Sequence, residues 1–223
     1  MSRVLIHVEG QTEETFVSEV IGPHLYNVGF LSVGARLLGN ARLRSRRGGI
    51  KDWQVVRQEI HRHLANDPGC IATLLVDFYA LPGSWPGRLA AGALPHGQRG
   101  AHVHQAIDED FATFSAHADR FEPFVLMHEF EALLFSDCDG FARGLGQPER
   151  ARAFQKVRDQ FGNPEEINDS PETAPSKRVC KIVPGYQKPL FGNLAAIEIG
   201  LERIREECPH FDAWLTRLEA RVA

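Results

Sequence analysis

The chain has 223 residues, of which 43% are hydrophobic and 24% charged, and a net charge of -4. That length suits one large domain, or one α/β domain carrying a helical appendage. The apolar share is enough for a core and excludes global disorder; the acidic balance excludes a uniformly basic nucleic-acid module, so any nucleic-acid contact must come from a local basic patch, from metal ions or from a partner.

Val4–Val8 is a short apolar run rich in β-branched residues that stops at Glu9-Gly10. It reads as a buried strand ending at a turn. A helical pattern opens at Thr12, the candidate N-cap, and buries Phe16, Val17, Val20 and Ile21. Gly22-Pro23 should stop or interrupt it. Gly34–Leu38 reads as a second strand. A basic loop follows over Arg42–Lys51, with Arg42, Arg44, Arg46, Arg47 and Lys51 beside Gly48-Gly49. It serves either as a solvated surface or as a phosphate contact.

Asp52–Ala65 reads as a helix with Trp53, Val56, Ile60 and Leu64 on one face. Ile71–Val76 is the clearest strand, apolar throughout and so expected to be buried on both faces, and it ends at Asp77. Leu81–Gly100 is rich in Gly and Pro and reads as a long loop. Ala101–Ala118 is a predicted helix, Phe121–Leu126 a predicted strand, and the run from His128 to Phe135 becomes helical soon after it. A helix over Glu149–Phe161 precedes a polar loop, Asn163–Lys177. Two terminal helices, Asn193–Glu207 and Phe211–Val222, are split by Pro209. Strands alternating with helices imply a mainly parallel sheet flanked by helices, with a helical C-terminal part. The expected organisation is one α/β domain, with a core over about 1–140 and a helical extension over about 141–223.

Cys70, Cys138, Cys180 and Cys208 are scattered, without Cys-x-x-Cys pairing, and read as free buried thiols of a reducing cytosol. No apolar run matches a signal-peptide core or a bilayer span, so a soluble cytoplasmic protein is expected. His61 with His63, and His102 with His104, are spaced two apart, which does not place side chains together on a helix. There is no nucleophile elbow and no phosphate-binding G-x-x-x-x-G-K-[ST] loop.

The acids carry the chemistry. Glu9, Asp77, and Glu129 with Glu131 each follow a different predicted strand, and Glu13 lies four residues after Glu9. In an open parallel sheet, ligands bind beyond the carboxyl ends of the strands. Carboxylates gathered there repel one another, and a divalent cation resolves the repulsion. Oxygen donors without His or Cys suit Mg²⁺ or Mn²⁺. Each acid taken alone also has a plain structural role as a turn, cap or first-turn residue.

The opening, strand then Glu9-Gly10-Gln11-Thr12-Glu13, resembles the first motif of Toprim domains. Asp77-Phe78-Tyr79 stands where their Asp-x-Asp motif falls, with Tyr79 in place of the second acid. Over nearly the whole chain, motifs resemble a bacterial Toprim-like family of unknown function. They are Glu9-Gly10-x-Thr12-Glu13-Glu14-x-Phe16, Asp77-Phe78-Tyr79, His128 to Ser136 and Pro164-Glu165-Glu166-Ile167-Asn168. Ala174-Pro175-Ser176-Lys177-Arg178, Tyr186-x-Lys188 and the stretch from Ile199 to Phe211 belong to the same set. Members of that family often appear near ATPases in what look like anti-phage or mobile-element loci, which implies an ATPase partner. The OLD-type nucleases are similar in pairing two glutamates four apart, here Glu9 and Glu13.

The resemblance implies metal-dependent phosphodiester hydrolysis of a nucleic acid. Glu9, Glu13, Asp77, Glu129 and Glu131 would be the metal ligands. Glu9, Glu131 and Lys188, or Lys177 in the lysine's stead, would be catalytic. Arg44, Arg46, Arg47, Ser176, Lys177 and Arg178 would hold phosphates. Two other readings stay open: a degenerate regulatory or adaptor subunit, favoured by Tyr79 and the negative charge, and a metal-dependent phosphatase or nucleotidyl transferase.

Overall fold

The computed structural model describes residues 2–38, 50–167, 170 and 172–222. Five strands build the sheet: β1 (Arg3–Val8), β2 (Ser32–Leu37), β3 (Cys70–Asp77), β4 (Phe121–Glu122) and β5 (Val125–Leu126). The order is β2-β1-β3-β4, with β5 also on β3, and every pairing is parallel. β3 is buried along its whole length, as its unbroken apolar run predicts. Predicted Phe121–Leu126 is two short strands rather than one. Pro123 sits at the break, where it offers no N–H to a ladder.

The helices are α1 (Gln11–Phe16), α2 (Gly22–Val28), α3 (Trp53–Asn66), α4 (Arg88–Ala91), α5 (His96–Phe114) and α6 (Phe130–Leu133). Then come α7 (Cys138–Gly144), α8 (Ala151–Arg158), α9 (Pro175–Ile182), α10 (Asn193–Ile199), α11 (Leu201–Glu207) and α12 (Pro209–Glu219).

Period-two alternation divides the sheet between two apolar layers. Ala72, Leu74 and Val76 of β3 face α3 and α5, against Val56, Ile60, Val103 and Phe111. Val4, Ile6 and Val8 of β1 face the other layer, with Phe16, Phe130, Phe211 and Trp214. The C-terminal helices thus share a core with the first strand. A buried hydrogen bond from Trp214 Nε1 to Thr73 Oγ1, 2.9 Å long, ties α12 to the middle of β3.

Several boundaries differ from expectation. Thr12 does not cap the first helix. Gly10 holds that position in extended backbone, and Thr12 is buried inside α1. Gly22-Pro23 does not stop the helix either. One π turn over Val17–Ile21 absorbs the bond that Pro23 cannot donate, and the chain runs on as α2. The predicted loop at 81–100 contains α4 and the first turns of α5. The loop at 163–177 holds a 3₁₀ turn at Pro164–Glu166 and ends in the first turn of α9. The helix expected over 193–207 breaks at Gly200, whose φ of 81° suits glycine alone among the common residues. Cys70, Cys138 and Cys208 are buried as expected, whereas Cys180 is exposed. Among the described residues, no helix is long and apolar enough to cross a membrane.

Candidate metal and phosphate site

Parallel pairing explains how distant acids meet. β1 lies beside β3 in register, so Glu9, just past Val8, emerges next to the end of β3. β5 pairs with the last two residues of β3, Asp77 opposite Leu126, and delivers 128–131 to the same edge. Asp77 then fixes the turn into α6, because its Oδ1 accepts the backbone N–H of Phe130 at 2.9 Å. Glu13 arrives from the first turn of α1.

Lys188 stands among these acids. Its Nζ lies 2.9 Å from Asp77 Oδ2, 3.3 Å from Glu13 Oε1 and 3.5 Å from Glu131 Oε2. The ammonium also sits 5.7 Å from the centre of the Phe130 ring. Burial pushes the lysine toward its neutral form. Asp77, Glu131 and Glu13 overcome that and hold it well above its usual range, so it stays charged. One cation therefore serves at least three carboxyl groups, and the acids show the shortfall. Burial, with Asp77 and Glu13 nearby, pushes Glu9 up to about 8. Burial pushes Glu131 up to about 7 against the pull of Lys188. Glu13 is also raised by burial, with Lys188 opposing.

Hydrogen-bond accounting points the same way. Glu9 Oε2 and Glu131 Oε2 are buried and make no hydrogen bond. For Glu131 the ammonium is within ion-pair reach, yet not in hydrogen-bonding geometry. Buried acceptors left open in a native fold call for an explanation such as an ion. A donor set made of oxygens alone, with two of them open, fits a hard divalent cation. Among the described residues, no three His, Cys, Asp or Glu side chains are already arranged as a metal cage, for Lys188 fills the space between Glu13, Asp77 and Glu131.

The remaining predicted residues fall out differently. Glu129 stands at the N-cap position of α6 but makes no side-chain bond to it; its Oε2 instead accepts the backbone N–H of Ser176 at 2.9 Å, so it faces the start of α9. Ser176 is thus at the margin of the site through its amide. Lys177 is exposed on α9. Arg178 turns inward, donating to the Thr173 carbonyl at 2.7 Å and covering the Phe161 ring. Arg44, Arg46 and Arg47 lie outside the described residues. Tyr79 is 39% exposed just beyond β3, with its N–H on the His128 carbonyl. His63 bonds to His7, His61 to Ser115, and His104 accepts the Val125 N–H, so these three histidines have structural partners.

Two positions beyond the predicted set belong to the site. The hydroxyl of Tyr186 is buried without a partner. Burial and the nearby Glu131 push its ionisation upward, which places it beside the acids. A Cβ on Gly192 would come within 2.8 Å of that hydroxyl, so glycine keeps the room around it open. The Tyr186-x-Lys188 spacing was the available signal.

A family model described as a domain of unknown function (DUF4276) matches residues 8–219. No curated protein matches the sequence. Among solved structures, the C-terminal region of the Burkholderia pseudomallei OLD protein is similar over 100% of both chains, at 13% identity and a TM-score of 0.50. The C-terminal region of the Xanthomonas campestris pv. campestris OLD protein aligns over 98% of this chain and 97% of its own, at 18% identity and a TM-score of 0.41. The first of these supports the Toprim-like fold, a mainly parallel sheet between helices.

Proposed function

The chain belongs to the DUF4276 family, a domain of unknown function, and from that premise and the carboxylate edge we propose that it hydrolyses phosphodiester bonds of nucleic acid with a divalent metal. The observation that carries this reading is the gathering of Glu9, Glu13, Asp77 and Glu131 at one strand edge around Lys188, with two buried oxygens open. The likeness of the Glu9–Glu13 motif to that of OLD-type nucleases supports it.

Glu9, Glu13 and Asp77 would hold Mg²⁺ or Mn²⁺. Such an ion, when bound, supplies charge stabilisation for a phosphate in transit. Lys188 passes from the carboxylates to the scissile phosphate, where its ammonium balances charge that grows as the bond breaks. Glu131 positions the attacking water and takes its proton. Burial raises its carboxyl above the usual range in the metal-free protein, which favours a base that holds a proton once taken. The water oxygen bonds to phosphorus, the phosphorus–oxygen ester bond breaks, and the departing alkoxide is protonated by solvent. The Phe130 ring and the Tyr186 hydroxyl border the lysine and help confine it.

A second reading has an observation of its own. Lys188 already partners three acids, as in a degenerate site that serves an ATPase partner. Nuclease assays on DNA and RNA with Mg²⁺ and Mn²⁺ decide between them. Wild-type cleavage that falls by about 10²-fold or more in Glu9→Gln/Asp77→Asn supports the hydrolase. Cleavage of equal rate in the variant contradicts it. A wild type inert on DNA, RNA and phosphate monoesters favours the partner subunit.

A further inference from the structure

Away from the carboxylates, a groove of about 850 Å³ lies between the edge strand β2 and α3. Among the described residues that line it, the cations are Arg36, Lys51 and Arg62, and the one acid is Glu59. Glu59 is paired with Arg36 at 3.4 Å, and among the described lining residues no second acid faces Lys51 or Arg62. The described lining thus carries two more cations than acids in a chain of net charge -4. Burial lowers His63, so at neutral pH it adds a hydrogen-bonding ring rather than a charge.

The spacing is regular. Gln54, Gln58 and Arg62 lie on one ridge of α3 at intervals of four residues. Eight residues of helix rise about 12 Å. At roughly 3.4 Å of duplex axis per phosphate of one strand, that length runs beside about three to four phosphates of a duplex strand. Amide and guanidinium donors in such a row suit phosphate oxygens, contacts that carry no sequence information.

The groove also joins the candidate site. Arg36 is in register with His7, two residues before Glu9, and Leu38 donates its N–H to the Val8 carbonyl. His63 in the groove contacts His7 directly at 2.8 Å.

We propose that this groove is a binding track for the phosphate backbone of a polynucleotide, with Arg36, Lys51 and Arg62 as its phosphate contacts. This deepens the hydrolase reading, on which it rests, and names where the substrate lies. The chemistry is shared by DNA and RNA, and the measurement separates them.

The test is fluorescence anisotropy without divalent metal, using labelled single-stranded DNA, single-stranded RNA and duplex DNA over a series of salt concentrations. Full-length wild type is compared with Arg36→Gln/Lys51→Gln/Arg62→Gln. A second triple variant, Arg150→Gln/Arg152→Gln/Lys156→Gln, has the same net charge but is altered around α8. None of the six side chains is buried, so thermal melts should match wild type. The groove variant is expected to bind about tenfold or more weakly. The slope of log affinity against log salt should fall by about 2 for single strands or about 3 for duplex. The α8 variant should keep wild-type affinity and slope. The ligand with the larger groove-dependent loss identifies the physiological backbone. Equal losses in the two variants, an unchanged groove variant, or no wild-type binding to any ligand overturns the proposal. The Glu9→Gln/Asp77→Asn protein should still bind. If the groove controls binding while no cleavage is found, the hydrolase reading fails and the track stands. If cleavage depends on the carboxylates while binding ignores the groove, the track fails and the hydrolase reading stands.

Discussion

Two buried carboxyl groups in this molecule titrate alike and behave differently. Burial pushes both Glu165 and Glu131 up to about 7. Glu165 spends both oxygens on the start of α12, accepting the backbone N–H groups of His210 at 2.8 Å and Phe211 at 3.0 Å. It closes a helix terminus whose donors would otherwise be orphaned. Glu131 ends in an oxygen with no hydrogen bond, between a lysine and more acids. A raised carboxyl alone therefore does not mark a functional site. What sets Glu131 apart from Glu165 is an open buried oxygen placed beside a cation and further acids, where an ion would explain it.

The largest effect should come from removing the cation. Lys188→Ala leaves Glu13, Asp77 and Glu131 gathered with no counter-charge, and should cost about 3–5 kcal/mol without metal. In a chain of this size that is about 2–4 °C of melting temperature per kcal/mol. Added Mg²⁺ should restore much of the loss, measured by thermal denaturation. A variant that melts like wild type would show that the ammonium does not hold the acids together.

Next is the structural clamp. Glu165→Ala removes two hydrogen bonds from the start of α12 and should cost about 2 kcal/mol, with metal affinity unchanged in calorimetry. Loss of metal binding in that variant would erase the distinction between the two regions.

The pH dependence has a definite sign. Glu9 and Glu131 have folded values raised above the usual carboxylate range near 4, so the folded state binds more protons than the unfolded state between there and 7–8. Their stability contribution is complete below about pH 4 and is lost as pH rises through 7–8. Melting temperature of the metal-free protein should thus fall from about pH 5 to about pH 8.5. Glu9→Gln should flatten that fall, although Glu165 keeps a share of it. A stability that rises across this window would contradict the assignment.

The smallest effect is expected at Tyr186. Tyr186→Phe deletes a buried hydroxyl without a partner and should be neutral or stabilising by up to about 1 kcal/mol. A loss above that in chemical denaturation would mean the hydroxyl is bonded in solution.

The sheet was legible because its strands state their own environment. β3 is apolar at nearly every position and is buried on both faces; Glu9 follows the end of β1 and Asp77 closes β3, as the sequence pattern implies. Convergence of Glu9, Glu13, Asp77 and Glu131 followed from parallel strands, and the geometry brings these four together. Lys188 was reached only through motif resemblance, since a lysine 111 residues from Asp77 has no local pattern to mark it. Glu129 read like Glu131 but turns its carboxylate to the Ser176 N–H, a difference set by the tertiary approach of α9. Helix boundaries erred where local rules met packing. Pro23 lies inside a continuous helical path, and Gly200 divides a pattern that looks unbroken. The groove was illegible because Arg36 and Arg62 lie on different elements and only pairing and packing bring them to one face.

The most direct test of the carboxylate edge is calorimetric titration of the folded protein with Mn²⁺ and Mg²⁺, beside Glu9→Gln/Asp77→Asn. The amide oxygen that this variant places at position 77 can still accept the Phe130 N–H, so the turn into α6 is kept. The account predicts wild-type binding that strengthens as pH rises toward 8, because Glu9 must give up its proton to ligate, and no binding by the variant. A folded wild type that binds neither ion, or a variant that binds as wild type does, would contradict it.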